Sequence, residues 1–157
     1  TLHPRTAKQG FTGTARWEYL SELKALVSLP VIASGDLFMA EDGVRCLAET
    51  GVDTVMYARG ALRDPAIFKA HLDLLAGREP EVADVSTLLA RIREHARLAR
   101  ELSTEKVALL KMRTIVPRYV RHIEGSKQLR ADIIACRSWD DFEKALRSFE
   151  AGKSSSE

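Results

Sequence analysis

Two short apolar runs, Pro30-Val31-Ile32-Ala33 and Val52-Asp53-Thr54-Val55-Met56-Tyr57-Ala58, each lead into a glycine-bearing turn, Ser34-Gly35-Asp36 and Arg59-Gly60-Ala61. Both are rich in β-branched residues and show little polar alternation, which suits strands buried on both faces of a parallel sheet. Parallel neighbours need a right-handed crossover through a helix. The segment between the runs supplies one: Glu41 and Asp42 put acid in the first turn, Val44, Leu47 and Ala48 make an apolar stripe, and Gly51 ends it. The chain is therefore organised around a βαβ unit. In such units ligands meet the turns at the carboxyl ends of the strands. Gly35 and Gly60 allow close backbone approach there, so two sets of N–H groups can converge on one anion, with Arg59 adding a charged fork.

The rest of the chain reads as helix. Trp17, Leu20, Leu23, Leu26 and Val27 predict an amphipathic helix over 16–28 that packs on the sheet. A helix over 66–76 follows the second turn, with Pro65 at its start and Gly77 at its end. His71 on or beside its face reads as a packed or half-exposed histidine, not a ligand. Arg78-Glu79-Pro80-Glu81 is a linker, and helices are expected over 85–102, 105–123, 127–136 and 139–149. Thr104 and Ser138 are at capping positions and Pro117 predicts a kink. Short connections imply an antiparallel bundle. The division is 1–78 for the α/β part, 82–150 for the helical part, and 151–157 for a disordered tail.

A chain of 157 residues with net charge +2 has room for one domain or two small ones. No apolar run approaches the roughly 20 residues of a membrane span, and the amino terminus has no basic-then-apolar signal pattern. A cytoplasmic protein with no membrane partner is expected. Cys46 and Cys136 have no neighbouring Cys or His and read as buried thiols, not metal ligands. His3-Pro4-Arg5-Thr6 is dense in polar groups beside a proline, like a loop that follows a strand, so the chain reads as part of a longer one. His3 and Arg5 are candidate ligand groups.

Charge is divided unevenly. Residues 1–81 carry 9 basic and 11 acidic side chains, whereas residues 82–150 carry 14 basic and 10 acidic. Arg91, Arg93, Arg97, Arg100, Lys106, Lys111, Arg113, Arg118, Arg121, Lys127 and Arg130 belong to the basic half and are candidates for a phosphate-binding face. Interleaved acids such as Glu94 and Glu101 keep open the plainer reading, solvated helix faces.

In order and spacing, His3-Pro4-Arg5-Thr6, Phe11-Thr12-Gly13, Trp17, Pro30 to Asp36, Val55 to Ala61, Pro65 and Phe68 resemble the second half of the tRNA-dihydrouridine synthase family. Lys111-Met112-Arg113, Tyr119 and Leu129-Arg130 are similar to its carboxy-terminal helical domain, so the likeness reaches about Phe149. The resemblance implies α/β then all-α: the last strands and helices of a (β/α)8 barrel, as a partial barrel, followed by a C-terminal helical bundle. It implies a flavin-dependent enzyme, with FMN as cofactor and NADPH as reductant, that reduces uridine in tRNA to 5,6-dihydrouridine.

By the same resemblance, the flavin phosphate lies between the turns Ser34-Gly35-Asp36 and Ala58-Arg59-Gly60, with His3 beside the flavin. Arg5 matches an arginine near the flavin or the RNA, and because the family's helical domain contacts tRNA, the basic face with Arg97, Arg113, Arg118, Arg121, Lys127 and Arg130 is expected to face tRNA. The family usually has Asn where Ser34 stands and Gly where Ala58 stands. Its catalytic cysteine belongs to earlier strands, and Cys46 and Cys136 do not replace it. No turnover and little retained flavin are therefore expected of this chain alone. An open sheet face at Val31, Ala33, Val55 and Tyr57 predicts a homo-oligomer. Two alternatives stay open: a non-catalytic RNA-binding or protein-interaction helical module, and another phosphate-binding barrel enzyme.

Overall fold

The structure, a computed structural model, describes residues 1–154 and divides into two compact units, the first Thr1–Glu81 and the second beginning at Val82.

In the first unit, α1 (Glu18–Leu26), β1 (Ile32–Ala33), α2 (Ala40–Thr50), β2 (Thr54–Val55) and α3 (Ile67–Leu75) follow one another. The strands pair in parallel, Ile32 with Thr54 and Ala33 with Val55. Leu2 makes a parallel bridge to Ala33, with the Leu2 amide donating to the Ile32 carbonyl at 2.9 Å and the Ser34 amide to the Leu2 carbonyl at 3.0 Å. The amino-terminal segment and β2 thus both pair with β1. The strands are shorter than their apolar runs. Their pairing is extended at each end by single bonds, Asp53 N–H to Val31 O at 3.1 Å and Met56 N–H to Ala33 O at 2.8 Å. Beyond these the chain turns away: Gly35 has φ 116° and Asp36 φ 56°.

Side-chain direction corrects one expectation. Val31, Ala33 and Tyr57 are buried and Val55 is partly so, all in one cluster with Leu20 of α1, Cys46 of α2 and Ile67 of α3. Tyr57 proves the direction, since its hydroxyl reaches the Ala40 carbonyl at 3.2 Å and His71 Nδ1 at 2.8 Å, groups on α2 and α3. These four residues face the helices, not an open barrel side. Period-2 alternation then assigns Ile32, Thr54, Met56 and Ala58 to the opposite face. Of these only Ile32 and Met56 are large and apolar, so the four residues first read as an exposed patch give no reason for a second copy to bind. Of the two readings of His71, packed or half-exposed, the structure shows the packed one.

The second unit contains α4 (Val85–Leu102), α5 (Glu105–Tyr119), α6 (Lys127–Ala135) and α7 (Trp139–Ser154). Helix α4 packs on α5 and α7, α5 on α6, and α6 on α7. Leu89, Ile92, Met112, Val116, Ile133, Phe142 and Leu146 are almost fully buried between them. Helix α5 passes through Pro117 but ends at Tyr119, short of the expected residue 123. Helix α7 runs through Ser154, so residues 151–154 of the expected disordered tail are helical, and 155–157 lie outside the described residues. No helix among the described residues is long and apolar enough to cross a membrane.

The junction of α4 and α5 supplies a first test. The Thr104 hydroxyl accepts from the Val107 amide at 3.4 Å, capping α5. Thr104→Ala is expected to destabilise the second unit by about 1 kcal/mol, read as a lowered denaturation midpoint with unchanged slope. An unchanged midpoint removes the cap from the account.

Candidate functional site

The two glycine turns meet. A Cβ on Gly60 would stand 2.6 Å from the Leu37 carbonyl oxygen and 3.1 Å from that of Phe38, so only a hydrogen at this position lets the second turn lie against the segment leaving the first. Beside this junction is a cavity of about 190 Å³ lined by His3, Phe11, Ser34, Gly35, Asp36, Leu37, Phe38, Met56, Ala58 and Arg59. Six of the seven residues predicted for the cofactor line it. The seventh, Gly60, is packed behind it.

Several polar groups in the lining and beside it, Gly60 and Arg5 among the latter, are short of partners. Among the described residues, the amides of Gly35, Asp36, Arg59 and Gly60 donate to no acceptor. His3 Nε2 is buried without a hydrogen-bond partner, and so is Arg5 Nη1. Buried polar atoms are rarely left unpaired, and each costs about 1–3 kcal/mol when it is. Amides from two turns, an imidazole nitrogen and a guanidinium together make a donor-rich concavity suited to an anion. The volume is below the roughly 300–1,000 Å³ that encloses a whole drug-sized ligand, so the cavity has room for only one end of such a molecule.

Asp36 organises the cations. Its Oδ2 accepts from Arg5 Nη2 at 2.6 Å and from the Ala15 amide at 2.7 Å, while Oδ1 accepts from Arg59 Nη2 at 3.2 Å. The Arg5 side chain is only 2% exposed, and it also donates to the Thr12 and Gly13 carbonyls at 3.2 and 2.6 Å. Burial pushes the Asp36 carboxyl up, but the Arg5 and Ala15 hydrogen bonds and the charges of Arg5 and Arg59 outweigh it and hold it below the usual carboxylate range. Asp36 pays for its left-handed backbone with three such bonds, a strain typical of functional turns. Trp17 Nε1 donates to the Gly35 carbonyl at 3.0 Å and holds the first turn from the α1 side. Sequence reasoning placed Asp36 at the cofactor but missed its role as a clasp, and it gave no role to the aromatic rings beside Arg59. Charge and aromatic type were the available signals, and neither says which distant residue is met.

The second unit places its predicted residues differently. Arg97 pairs with Glu94 and Glu101. Arg113 Nε donates to the Ile134 carbonyl at 2.8 Å, and Arg130 Nη1 to the Arg121 carbonyl at 3.3 Å and Ser126 Oγ at 3.1 Å. Arg118, Arg121 and Lys127 are exposed, and among the described residues their side chains have no partner. A groove of about 550 Å³ on this unit includes Arg93, Arg97, Arg100, Glu101, Glu105 and Glu143 in its lining, where each arginine already faces a carboxylate. It is the larger concavity but offers an anion little net charge.

Cys46 and Cys136 are buried, and burial pushes both thiols up. No cluster of potential metal ligands occurs among the described residues. With this geometry in place, comparison with known proteins is decisive: the sequence model of the dihydrouridine synthase family matches residues 1–154. The chain belongs to the dihydrouridine synthase family. It is 32% identical over 139 residues to a probable tRNA-dihydrouridine synthase 1 of Synechocystis sp., covering 88% of this chain and 39% of that protein. It is 31% identical over 145 residues to a probable tRNA-dihydrouridine synthase of Aquifex aeolicus, covering 92% of this chain and 45% of the other. A third, from Treponema pallidum, is 33% identical over 151 residues, with 93% and 44% covered. This dihydrouridine synthase family chain therefore spans less than half the length of the curated relatives it matches.

Proposed function

We propose that this chain carries the cofactor-phosphate end and the RNA-facing helical unit of a flavin-dependent tRNA-dihydrouridine synthase. The observation that carries the reading is that Gly35, Asp36 and Arg59, whose amides have no acceptor among the described residues, line one small cavity together, with Gly60 packed beside it. FMN fits these residues. Its phosphate would take the amides and Arg59, and the buried His3 Nε2 is a polar group awaiting a partner on the same ligand. When bound and reduced by NADPH, the flavin supplies the hydride that reduces the uracil C5–C6 double bond. The chain's own residues then bind and orient. Asp36 holds Arg5 and Arg59 and does not itself touch phosphate, since a carboxylate repels it. Buried Cys46 and Cys136, with raised thiols, donate no proton to substrate. The βαβ unit is read as the closing portion of a (β/α)8 barrel, whose last two strand ends commonly bind phosphate.

For tRNA, the residues best placed are Arg118, Arg121 and Lys127, which are exposed and uncommitted. Arg113 and Arg130 tie the α5–α6 joint, and Arg5 serves inside the first unit. Arg97, held by two glutamates, is a poorer contact. Affinity for tRNA is expected to fall with salt, and Arg121→Glu or Lys127→Glu should weaken binding to all tRNAs alike. Each substitution should also flatten the log–log salt slope by roughly 0.7–0.9 per lost phosphate contact. Arg97→Glu should change it little. Fluorescence anisotropy across a salt series checks this, and a flat salt dependence in the unsubstituted chain favours a protein-interaction module instead.

A further inference from the structure

Phe11 is 71% exposed, on a loop with no helix or strand, yet it is not loose. The two carbonyls that follow it, Thr12 and Gly13, are held by the buried Arg5 guanidinium. This fixes the ring 4.7 Å from Arg59 Cζ, and the Phe38 ring lies at the same distance from that carbon. Arg59 needs such support. Its side chain is 42% exposed and its one ion pair among the described residues, to Asp36 Oδ1, is 3.2 Å long. An exposed arginine otherwise samples many rotamers and must be ordered when it grips a ligand. A ring face restrains the guanidinium plane without consuming its donors. Arg59 thus keeps N–H groups for the cavity that Phe11, Phe38 and Arg59 all line.

We propose that Phe11 is a positioning residue: its ring holds the Arg59 guanidinium over the cavity before the phosphate of a ligand arrives. The inference rests on the phosphate reading given above and adds a residue whose only chemistry is its π-face. The buried Arg5 serves the same end at one remove. It places the Phe11 loop and, through Asp36, anchors the other side of Arg59.

The test uses the full chain, inorganic phosphate, and the substitutions Phe11→Leu and Phe11→Trp. Two quantities are read by NMR: the order of the Arg59 Nε–Hε group without ligand, and phosphate affinity from shifts of the Gly35 and Gly60 amides. Phe11→Leu keeps an apolar side chain but no π-face. It should mobilise Arg59 and weaken phosphate binding roughly two- to five-fold, the equivalent of an exposed cation–π contact. Phe11→Trp should restore both. If Arg59 order and phosphate affinity are unchanged in Phe11→Leu, the role of Phe11 is overturned while the phosphate site stands. If Phe11→Leu and Phe11→Trp lose affinity equally, the loop matters and the ring face does not, which also overturns it. If the unsubstituted chain shows no saturable shift at Gly35 and Gly60, the phosphate site itself falls, and the positioning role with it.

Discussion

Asp36→Ala should destabilise the first unit by about 3–5 kcal/mol, the range for removing one partner of a buried ion pair. The size follows from Arg5, whose side chain is 2% exposed and whose Nη1 already lacks a partner. Without Asp36 its charge keeps only the Thr12 and Gly13 carbonyls. Arg59 loses its ion pair too, so phosphate affinity should fall together with stability. Denaturation followed through amides of the first unit checks the magnitude, because the two units need not unfold in one step. The pH dependence has a definite sign. Asp36 has a folded pKa below its ordinary value, so its stabilisation is present above about pH 4, the unfolded range, and is lost as pH falls through the depressed folded value. The variant should lack this acid-sensitive component. A loss under 1 kcal/mol, or an unaltered acid limb, would mean that Arg5 is satisfied without the carboxylate.

Gly60→Ala is the second large effect. The added methyl would meet the Leu37 carbonyl oxygen at 2.6 Å and Ile67 Cδ1 at 2.9 Å. A backbone oxygen cannot swing aside as a side-chain end can, so the two turns must part. Overpacking of this kind costs about 1–3 kcal/mol, and parting the turns should also abolish their shared grip on an anion. Ligand-free stability and phosphate binding, measured on one sample, separate the two effects. A variant that keeps wild-type phosphate affinity would show that the turns do not act together.

Local rules made much of this fold legible. Helix α2 runs over the residues that its acid, stripe and stop signals marked, α4 covers the expected 85–102, and both cysteines are buried as read. The direction of the strands was not legible. Val31 and Ala33 belong to a run apolar on both faces, so alternation carries no sign, and it took the Tyr57 hydroxyl bonded to α2 and α3 to set it. The site divides in the same way. Gly35 and Gly60 marked turns at two strand ends, and the structure brings the second against the segment leaving the first, although glycines end strands in many proteins with no ligand there. The Arg5–Asp36–Arg59 clasp did not announce itself, because its members lie 31 and 23 residues apart in sequence and nothing local couples them. Charged residues of the helical unit were equally silent: Arg97 and Arg121 look alike in sequence, and only the fold pairs one with two glutamates and leaves the other exposed.

Whether the two turns form a phosphate cradle is decided by titrating the chain with FMN and, separately, with riboflavin. The two ligands share the ring system and ribityl chain and differ only in the phosphate. Amide NMR detects binding even when it is weak. A phosphate cradle gives saturable shifts at Gly35, Asp36, Arg59 and Gly60 with FMN, competed by inorganic phosphate, and much smaller shifts there with riboflavin. Equal shifts with both ligands, or FMN shifts confined to residues outside the two turns, would contradict it.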